Sequence, residues 1–297
     1  MVGSAIAFLC AANSLDDIIL LNRTKSKALG EALDISNAIP ESSDITIHGT
    51  DDYSEIKESD VIVITASTGI YLKNRNEMVD AQVQMIKEIG KKIKLNCKSP
   101  KVLIISNPVD VLTYFFQKET NYLRTDVIGI ASGLDSSRFR YLLSEKIGIK
   151  KSEIADAFVI GEHGDSMVPI FSKTKIKGKN VLEIINPKQK EKITKEIREY
   201  WKSLRNLKSR SQFGIAKITY DVIESIIKKQ TLSITASIML EGEFEEKDVC
   251  MGVPMKITSK GTVEIKSMDF DESERESFKI SAQTIRKNIQ SVKKSLN

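Results

Sequence analysis

The sequence predicts an α/β protein built on a parallel sheet, because short continuous apolar runs of strand length alternate with helix-period patterns through its first half. Three runs carry that prediction: Asp17-Ile18-Ile19-Leu20-Leu21, Asp60-Val61-Ile62-Val63-Ile64-Thr65-Ala66 and Val102-Leu103-Ile104-Ile105-Ser106-Asn107-Pro108. Strands apolar on both faces suit a sheet covered by helices on both sides. The second half is richer in charged helix patterns and ends with a hairpin signal, so a second, α+β lobe is expected. The boundary falls near Gly133, giving lobes of 1–131 and 132–297. A chain of 297 residues, 41% of them hydrophobic, is long enough for two lobes with a shared core.

In chain order, Met1-Val2-Gly3-Ser4-Ala5-Ile6-Ala7-Phe8 reads as the opening of a helix with no strand before it. The strand at Asp17 to Leu21 leads through Asn22-Arg23-Thr24-Lys25-Ser26 into a helix pattern at Leu29, Ala32, Leu33 and Ile35. Asp44 to His48 alternates as a short strand, with His48 an ordinary edge or surface residue. The strand ending at Ala66 finishes in small residues, where a cofactor can approach the backbone. The loop 67–75 that follows is expected to be a mobile lid, before a helix through Met78, Val79, Val83, Ile86 and Ile89. Asn107 stands at the carboxyl end of its strand, where ligands bind in open α/β sheets, although an asparagine before proline also serves simply as a turn cap. Asp126 to Ala131 gives one more strand.

In the second lobe, Lys188 to Leu207 is a lysine-rich amphipathic helix with Ile193, Ile197, Trp201 and Leu204 on one stripe. Ser211 caps a helix through Ile218, Val222, Ile226 and Ile227. Leu232 to Leu240 is a strand, and Val249 to Ile257 and Thr262 to Ile265 flank Ser259-Lys260-Gly261 as a hairpin. Phe270 to Leu296 closes the chain as a charged helix with a buried stripe.

The bulk numbers exclude several classes. No apolar run approaches the ~20 residues that cross a bilayer, and the apolar start lacks the basic flank of a signal peptide, so a soluble cytoplasmic protein is expected. Cys10, Cys97 and Cys250 are odd in number and unpaired with histidines, which argues against a metal centre or a disulfide framework. The net charge of +5 comes from lysines dispersed along helices with few aromatics between them, so neither nucleic acid nor membrane is an expected partner.

The residues that carry chemistry sit around Gly161-Glu162-His163-Gly164-Asp165-Ser166. His163 is one of two histidines, in a turn after the apolar run Ala157-Phe158-Val159-Ile160. Alone, such a residue is most simply a turn-packing histidine. Upstream, however, Leu134-Asp135-Ser136-Ser137-Arg138-Phe139 opens a helix that puts Asp135 and Arg138 on one face. A carboxylate can hold an imidazole in one tautomer, and a guanidinium can grip a substrate carboxylate through two parallel hydrogen bonds. Together these groups suit hydride transfer to a keto acid.

These segments, in this order, resemble the lactate/malate dehydrogenase family, and the resemblance runs over almost the whole chain. The Asp248-Val249-Cys250-Met251-Gly252-Val253-Pro254 run and the His163 turn look most like its archaeal-type malate dehydrogenases. The resemblance implies a Rossmann-type doubly wound sheet, a small 2-hydroxy or 2-keto acid as substrate, and a homodimer or homotetramer. It implies His163, Asp135 and Arg75 as catalytic, with Arg75 polarising the carbonyl, and Arg138, Asn107 and Ser211 as substrate-binding. On the cofactor side it implies Gly3, Asn22, Arg23, Thr24, Ala66, Gln82, Ser106 and Asn107. Gly3 matches the third glycine of the phosphate loop, so the first strand and two earlier glycines are expected to be absent, through an internally assigned start or a fragment. Asn22 stands where NAD-using members carry an acidic residue, and Arg23-Thr24-Lys25-Ser26 offers donors to a 2′-phosphate, so NADP or dual use is expected over strict NAD. The lid departs from the malate-selecting pattern, with Gly69 or Ile70 in place of its arginine and Lys73 as a candidate second grip. Malate is the favoured substrate. Lactate or another 2-hydroxy acid, or a catalytically silent nucleotide binder, are the alternatives.

Overall fold

The computed structural model describes residues 1–68, 75–208 and 211–296, with the backbone alone at 75–78 and 263. Its helices are α1 (Val2–Ala12), α2 (Lys25–Ser36), α3 (Arg75–Asn96), α4 (Val109–Thr120), α5 (Ser132–Ile147), α6 (Pro187–Leu207), α7 (Phe213–Ile227) and α8 (Glu272–Leu296). Its strands are β1 (Ile18–Leu21), β2 (Ile47–Thr50), β3 (Val61–Ile64), β4 (Lys101–Ile104), β5 (Val127–Gly129), the two-residue strands β6 (Ile154–Ala155), β7 (Val159–Ile160), β8 (Val168–Pro169), β9 (Lys175–Ile176) and β10 (Lys179–Asn180), then β11 (Leu232–Glu241), β12 (Lys247–Thr258) and β13 (Gly261–Ile265).

Strands β3, β4 and β5 pair in parallel, as their continuous apolar runs predict, and helices lead from one to the next. The sheet does not stop at the end of the first lobe. Gly129 of β5 pairs with Ser237 of β11, so the antiparallel β11, β12 and β13 continue the same six-stranded sheet across the expected boundary. The hairpin turns at Gly261, whose φ of 84° is the left-handed region that glycine enters without strain.

One helix escapes the sequence reading. Helix α4 is buried on nearly every face, from Val109 through Phe116, and therefore shows no apolar stripe of helical period. Strand β2 begins at Ile47, later than the alternation from Asp44 suggests, because the Thr46 N–H is taken by the Asp17 carboxylate (2.7 Å) and not by a neighbouring strand. His48 is exposed and lies 2.7 Å from Glu55, the surface role expected of it. By contrast α6 starts where its sequence says: Asn186 accepts from the Gln189 N–H, with Pro187 in the first turn.

The parallel sheet is divided. Strands β1 and β2 form a separate two-stranded parallel sheet, and among the described residues no strand lies between β1 and β3. A cleft of about 1240 Å³ occupies that place, lined along its length by β1, β3 and α1. The apolar run of β3 reads as a buried strand, yet Val61, Ile62 and Val63 are only half-buried, and Ile19 of β1 is 39% exposed, because each borders the cleft. Cys10, Cys97 and Cys250 are free and buried. A second core, in which the rings of Phe139 and Phe171 meet edge to face at 4.9 Å, joins α5 and α6 to the short strands.

Candidate active site

Helix α5 begins at Ser132, just beyond β5, so Asp135 falls in its first turn, where the positive end of the helix favours a carboxylate. Asp135 is only 1% exposed, and a buried charge of this kind must be paired. It has two partners. One oxygen, Oδ2, lies 2.6 Å from His163 Nδ1, and the other, Oδ1, accepts from Arg138 Nη1 at 3.0 Å. The i, i+3 spacing of Asp135 and Arg138 on one helix face makes the second contact local, while the first joins residues 28 apart in sequence.

The turn carrying His163 is held by backbone geometry. Gly161 has a φ of 84° and exchanges both main-chain hydrogen bonds with Gly252 of β12, at 2.8 and 2.9 Å. The approach is close: a Cβ on Gly252 would stand 2.6 Å from Ser132 Oγ and 3.0 Å from the Gly161 carbonyl oxygen. Gly252→Ala is therefore expected to destabilise the protein by about 1–3 kcal/mol, the usual cost of forcing atoms into a packed site, read from the denaturant midpoint.

Two effects oppose each other at His163. Burial disfavours the imidazolium and the Arg138 charge adds to that, yet the charge and hydrogen bond of Asp135, with help from Asp110, outweigh them and raise the imidazole pKa above its ordinary value. With Nδ1 turned to Asp135, Nε2 is the nitrogen left to exchange a proton with a substrate. Arg138 is fixed on a second side by the Tyr200 ring, 4.9 Å from its guanidinium carbon. Its remaining N–H groups can donate to a substrate carboxylate. The arrangement can thus hold a carboxylate and move one proton on the oxygen of the adjoining carbon.

On the cofactor side, Gly3, Asn22, Arg23, Thr24 and Ala66 all border the large cleft, and Ser211 borders it from the other lobe, beside Gln212, which donates to the Met1 carbonyl at 3.2 Å. A Cβ on Gly3 would come 2.8 Å from Thr65 Oγ1, so α1 meets the end of β3 closely. Asn22 accepts from the Thr24 N–H at 2.9 Å, Arg23 is exposed, and Lys25 lies 3.9 Å from Asp51. Gln82 is buried and donates to the hydroxyls of Ser67 (3.3 Å) and Thr68 (3.2 Å), while its Oε1 has no partner among the described residues. Ser106 is buried and spends its hydroxyl on the Ala66 carbonyl at 2.6 Å, so it shapes the ends of β3 and β4 and does not project a group. Asn107 is exposed, with Oδ1 3.3 Å from the Val109 N–H that it caps. A helix start at the carboxyl ends of parallel strands, an orphaned Gln82 oxygen and a long cleft fit a dinucleotide. Arg75 opens α3, with its side chain outside the described residues; of the expected lid, residues 69–74, with Gly69, Ile70 and Lys73, lie outside them too.

Several contributors went unread in the sequence: Asp110 and Ser281, which hold the His163 turn, Gly252, which pairs with it, and Tyr200. For Asp110 a signal existed, a single carboxylate inside the apolar stretch Val109-Asp110-Val111-Leu112. Nothing local to Ser281 or Gly252 announces a contact with residues so distant in sequence.

An α/β cleft that fits a dinucleotide, together with a histidine and an arginine that share one buried carboxylate, defines an NAD-linked dehydrogenase of hydroxy acids. Residues 1–129 match the lactate/malate dehydrogenase NAD-binding domain and residues 132–296 its alpha/beta C-terminal domain, and the chain belongs to the lactate/malate dehydrogenase family. It is 33% identical to the L-2-hydroxycarboxylate dehydrogenase (NAD(P)(+)) of Methanocaldococcus jannaschii, over 98% of this chain and 96% of that protein. It is 32% identical to a malate dehydrogenase of Pelagibacter ubique, over 93% and 89%. Among solved structures, the lactate dehydrogenase of Cryptosporidium parvum, complexed with lactic acid and nicotinamide adenine dinucleotide, superposes with a TM-score of 0.93 at 29% identity, covering 98% of this chain and 95% of that one.

Proposed function

We propose that the chain interconverts a 2-hydroxy acid and its 2-keto acid, with malate and oxaloacetate the favoured pair. The observation that carries this reading is the Asp135 carboxylate shared between His163 Nδ1 and Arg138 Nη1. Arg138 takes the substrate carboxylate, and His163 gives a proton to the carbonyl oxygen in one direction and removes it in the other. Asp135 stabilises the imidazolium and fixes the ring. A bound nicotinamide supplies or accepts the hydride. Asn107, Ser211 and Arg75 are assigned to the substrate on sequence grounds, Arg75 as the group that polarises the carbonyl.

For the cofactor we propose dual use of NAD and NADP. Asn22 brings no carboxylate to repel a 2′-phosphate, exposed Arg23 and the start of α2 offer donors, and the Methanocaldococcus jannaschii relative is named for both. We propose also that the protein is a homo-oligomer, since Leu29 (45% exposed) and Leu33 (73%) stand one turn apart on the outer face of α2.

Initial rates of reduction of oxaloacetate, pyruvate and a longer 2-keto acid, each with NADH and NADPH, test the reading. Oxaloacetate is expected to give the highest kcat/KM, with the two cofactors within tenfold of each other. A tenfold or greater preference for NADH would end the dual-use proposal, a preference for pyruvate would end the malate assignment, and no turnover with any pair would leave a silent binder.

A further inference from the structure

We propose that Asp110 is a positioning residue for His163, a buried carboxylate on α4 that fixes the backbone of the proton-transfer turn while Asp135 fixes the ring. The proposal rests on His163 being the proton donor. Asp110 is 3% exposed, and each of its oxygens has one partner: Oδ2 accepts from the His163 N–H at 2.7 Å and Oδ1 from the Ser237 hydroxyl of β11 at 2.7 Å. The preceding N–H, that of Glu162, is accepted by Ser281 Oγ of α8 at 2.7 Å. Three successive residues of the turn are thus anchored by three different elements: Gly161 by β12, Glu162 by α8 and His163 by α4.

A carboxylate in the buried first turn of a helix, between Val109 and Val111, is costly unless it is hydrogen-bonded. A hydroxyl or amide in its place would satisfy the same N–H, so the retained charge calls for a reason beyond packing. That reason is the charge itself, carried on the group that accepts from the backbone N–H of the same residue as the imidazole. A negative group bonded to the His163 backbone favours the protonated ring, in addition to Asp135. The groups facing Asp110 are His163 and Glu162 from the turn, Ser237 from β11 and Cys250 from β12; the ring itself also faces Asp135 and Arg138 from α5. Burial pushes the Asp110 carboxyl up to about 6, against the pull of Ser237 and His163, so it is ionised at neutral pH and loses its charge as the medium turns acidic.

The test is a titration of the His163 ring by proton NMR on the protein without substrate, in the native chain and in Asp110→Asn. Exposed His48, paired with Glu55, is the internal control. An asparagine keeps a hydrogen-bonding side chain of the same shape and removes the charge. The His163 midpoint is expected to move to lower pH by about half a pH unit or more, with His48 unmoved. The kcat for keto acid reduction at pH 7 is expected to fall about 3–30-fold, with KM changed less than threefold, since fewer rings carry the proton at that pH and the charge-assisted hydrogen bond to the turn becomes a weaker, neutral one. An unmoved His163 midpoint in a folded Asp110→Asn protein would overturn the proposal, because a carboxylate that only ties α4 to β11 would not alter the ring. Should that variant fail to fold, Ser237→Ala, which strips one partner from Asp110, is expected to move the midpoint in the same direction by less, and no movement there overturns the proposal equally. If His163→Asn itself leaves turnover intact, the reading of His163 fails first; if that variant is dead while the Asp110→Asn midpoint and kcat match the native protein, only the role of Asp110 fails.

Discussion

Replacing His163 with asparagine is expected to lower kcat for 2-keto acid reduction by about 10²–10⁴-fold, the range that a positioned general acid contributes. The substituted side chain occupies similar space and can still meet Asp135, so the fold and the cleft remain. It has no proton to give at neutral pH. Dinucleotide affinity, read by fluorescence titration with NADH, is expected to stay within about threefold of native, because Gly3, Asn22, Arg23, Thr24 and Ala66 border a cleft lined by β1, β3 and α1, and His163 is not among its lining residues. A turnover number near native would remove His163 from the reaction.

The second large effect belongs to Arg138. Each charge-assisted hydrogen bond to a substrate carboxylate contributes roughly 1.5–3 kcal/mol, so losing a two-pronged grip in Arg138→Gln should reduce kcat/KM by about 10²–10⁴-fold. Arg138 also donates to Asp135 and its charge holds the His163 pKa down. The same substitution should therefore shift the imidazole midpoint upward, opposite in sign to the Asp110→Asn shift. Arg138→Lys tests the fork as against the charge: the point charge restores the midpoint but is expected to recover only part of kcat/KM. Retention of native kcat/KM in Arg138→Gln would mean that another group holds the carboxylate.

Much of this was readable along the chain, for identifiable reasons. Asp135 and Arg138 are neighbours on one helix face, so their meeting is a property of local spacing, and His163 follows a short apolar run that ends in glycine. The long strands and the hairpin show because apolar runs and turn residues are local signals. Contacts between distant segments leave no such trace. The Asp110 carboxylate reaches a residue 53 positions away, and Ser281 reaches Glu162 across 119, so each reads alone as a stray polar side chain. Helix α4 hides for the opposite reason, since a helix buried on nearly every face from Val109 through Phe116 has no polar side there to set its period. The division of the parallel sheet was anticipated from the helical start at Val2, but the half-exposure of β3 that follows from it was not.

The pH dependence of kcat/KM in both directions tests the central claim most directly. Reduction of the keto acid needs the protonated imidazole, and oxidation of the hydroxy acid needs the neutral one. Because Asp135 raises the His163 pKa, kcat/KM for reduction is expected to hold to higher pH than an ordinary imidazole allows and to fall beyond the raised midpoint, while kcat/KM for oxidation rises through the same midpoint. That midpoint should coincide with the one the His163 ring shows by NMR in the free protein. Profiles that ignore the His163 midpoint, or that move in the same direction for both reactions, would contradict the shared-carboxylate mechanism.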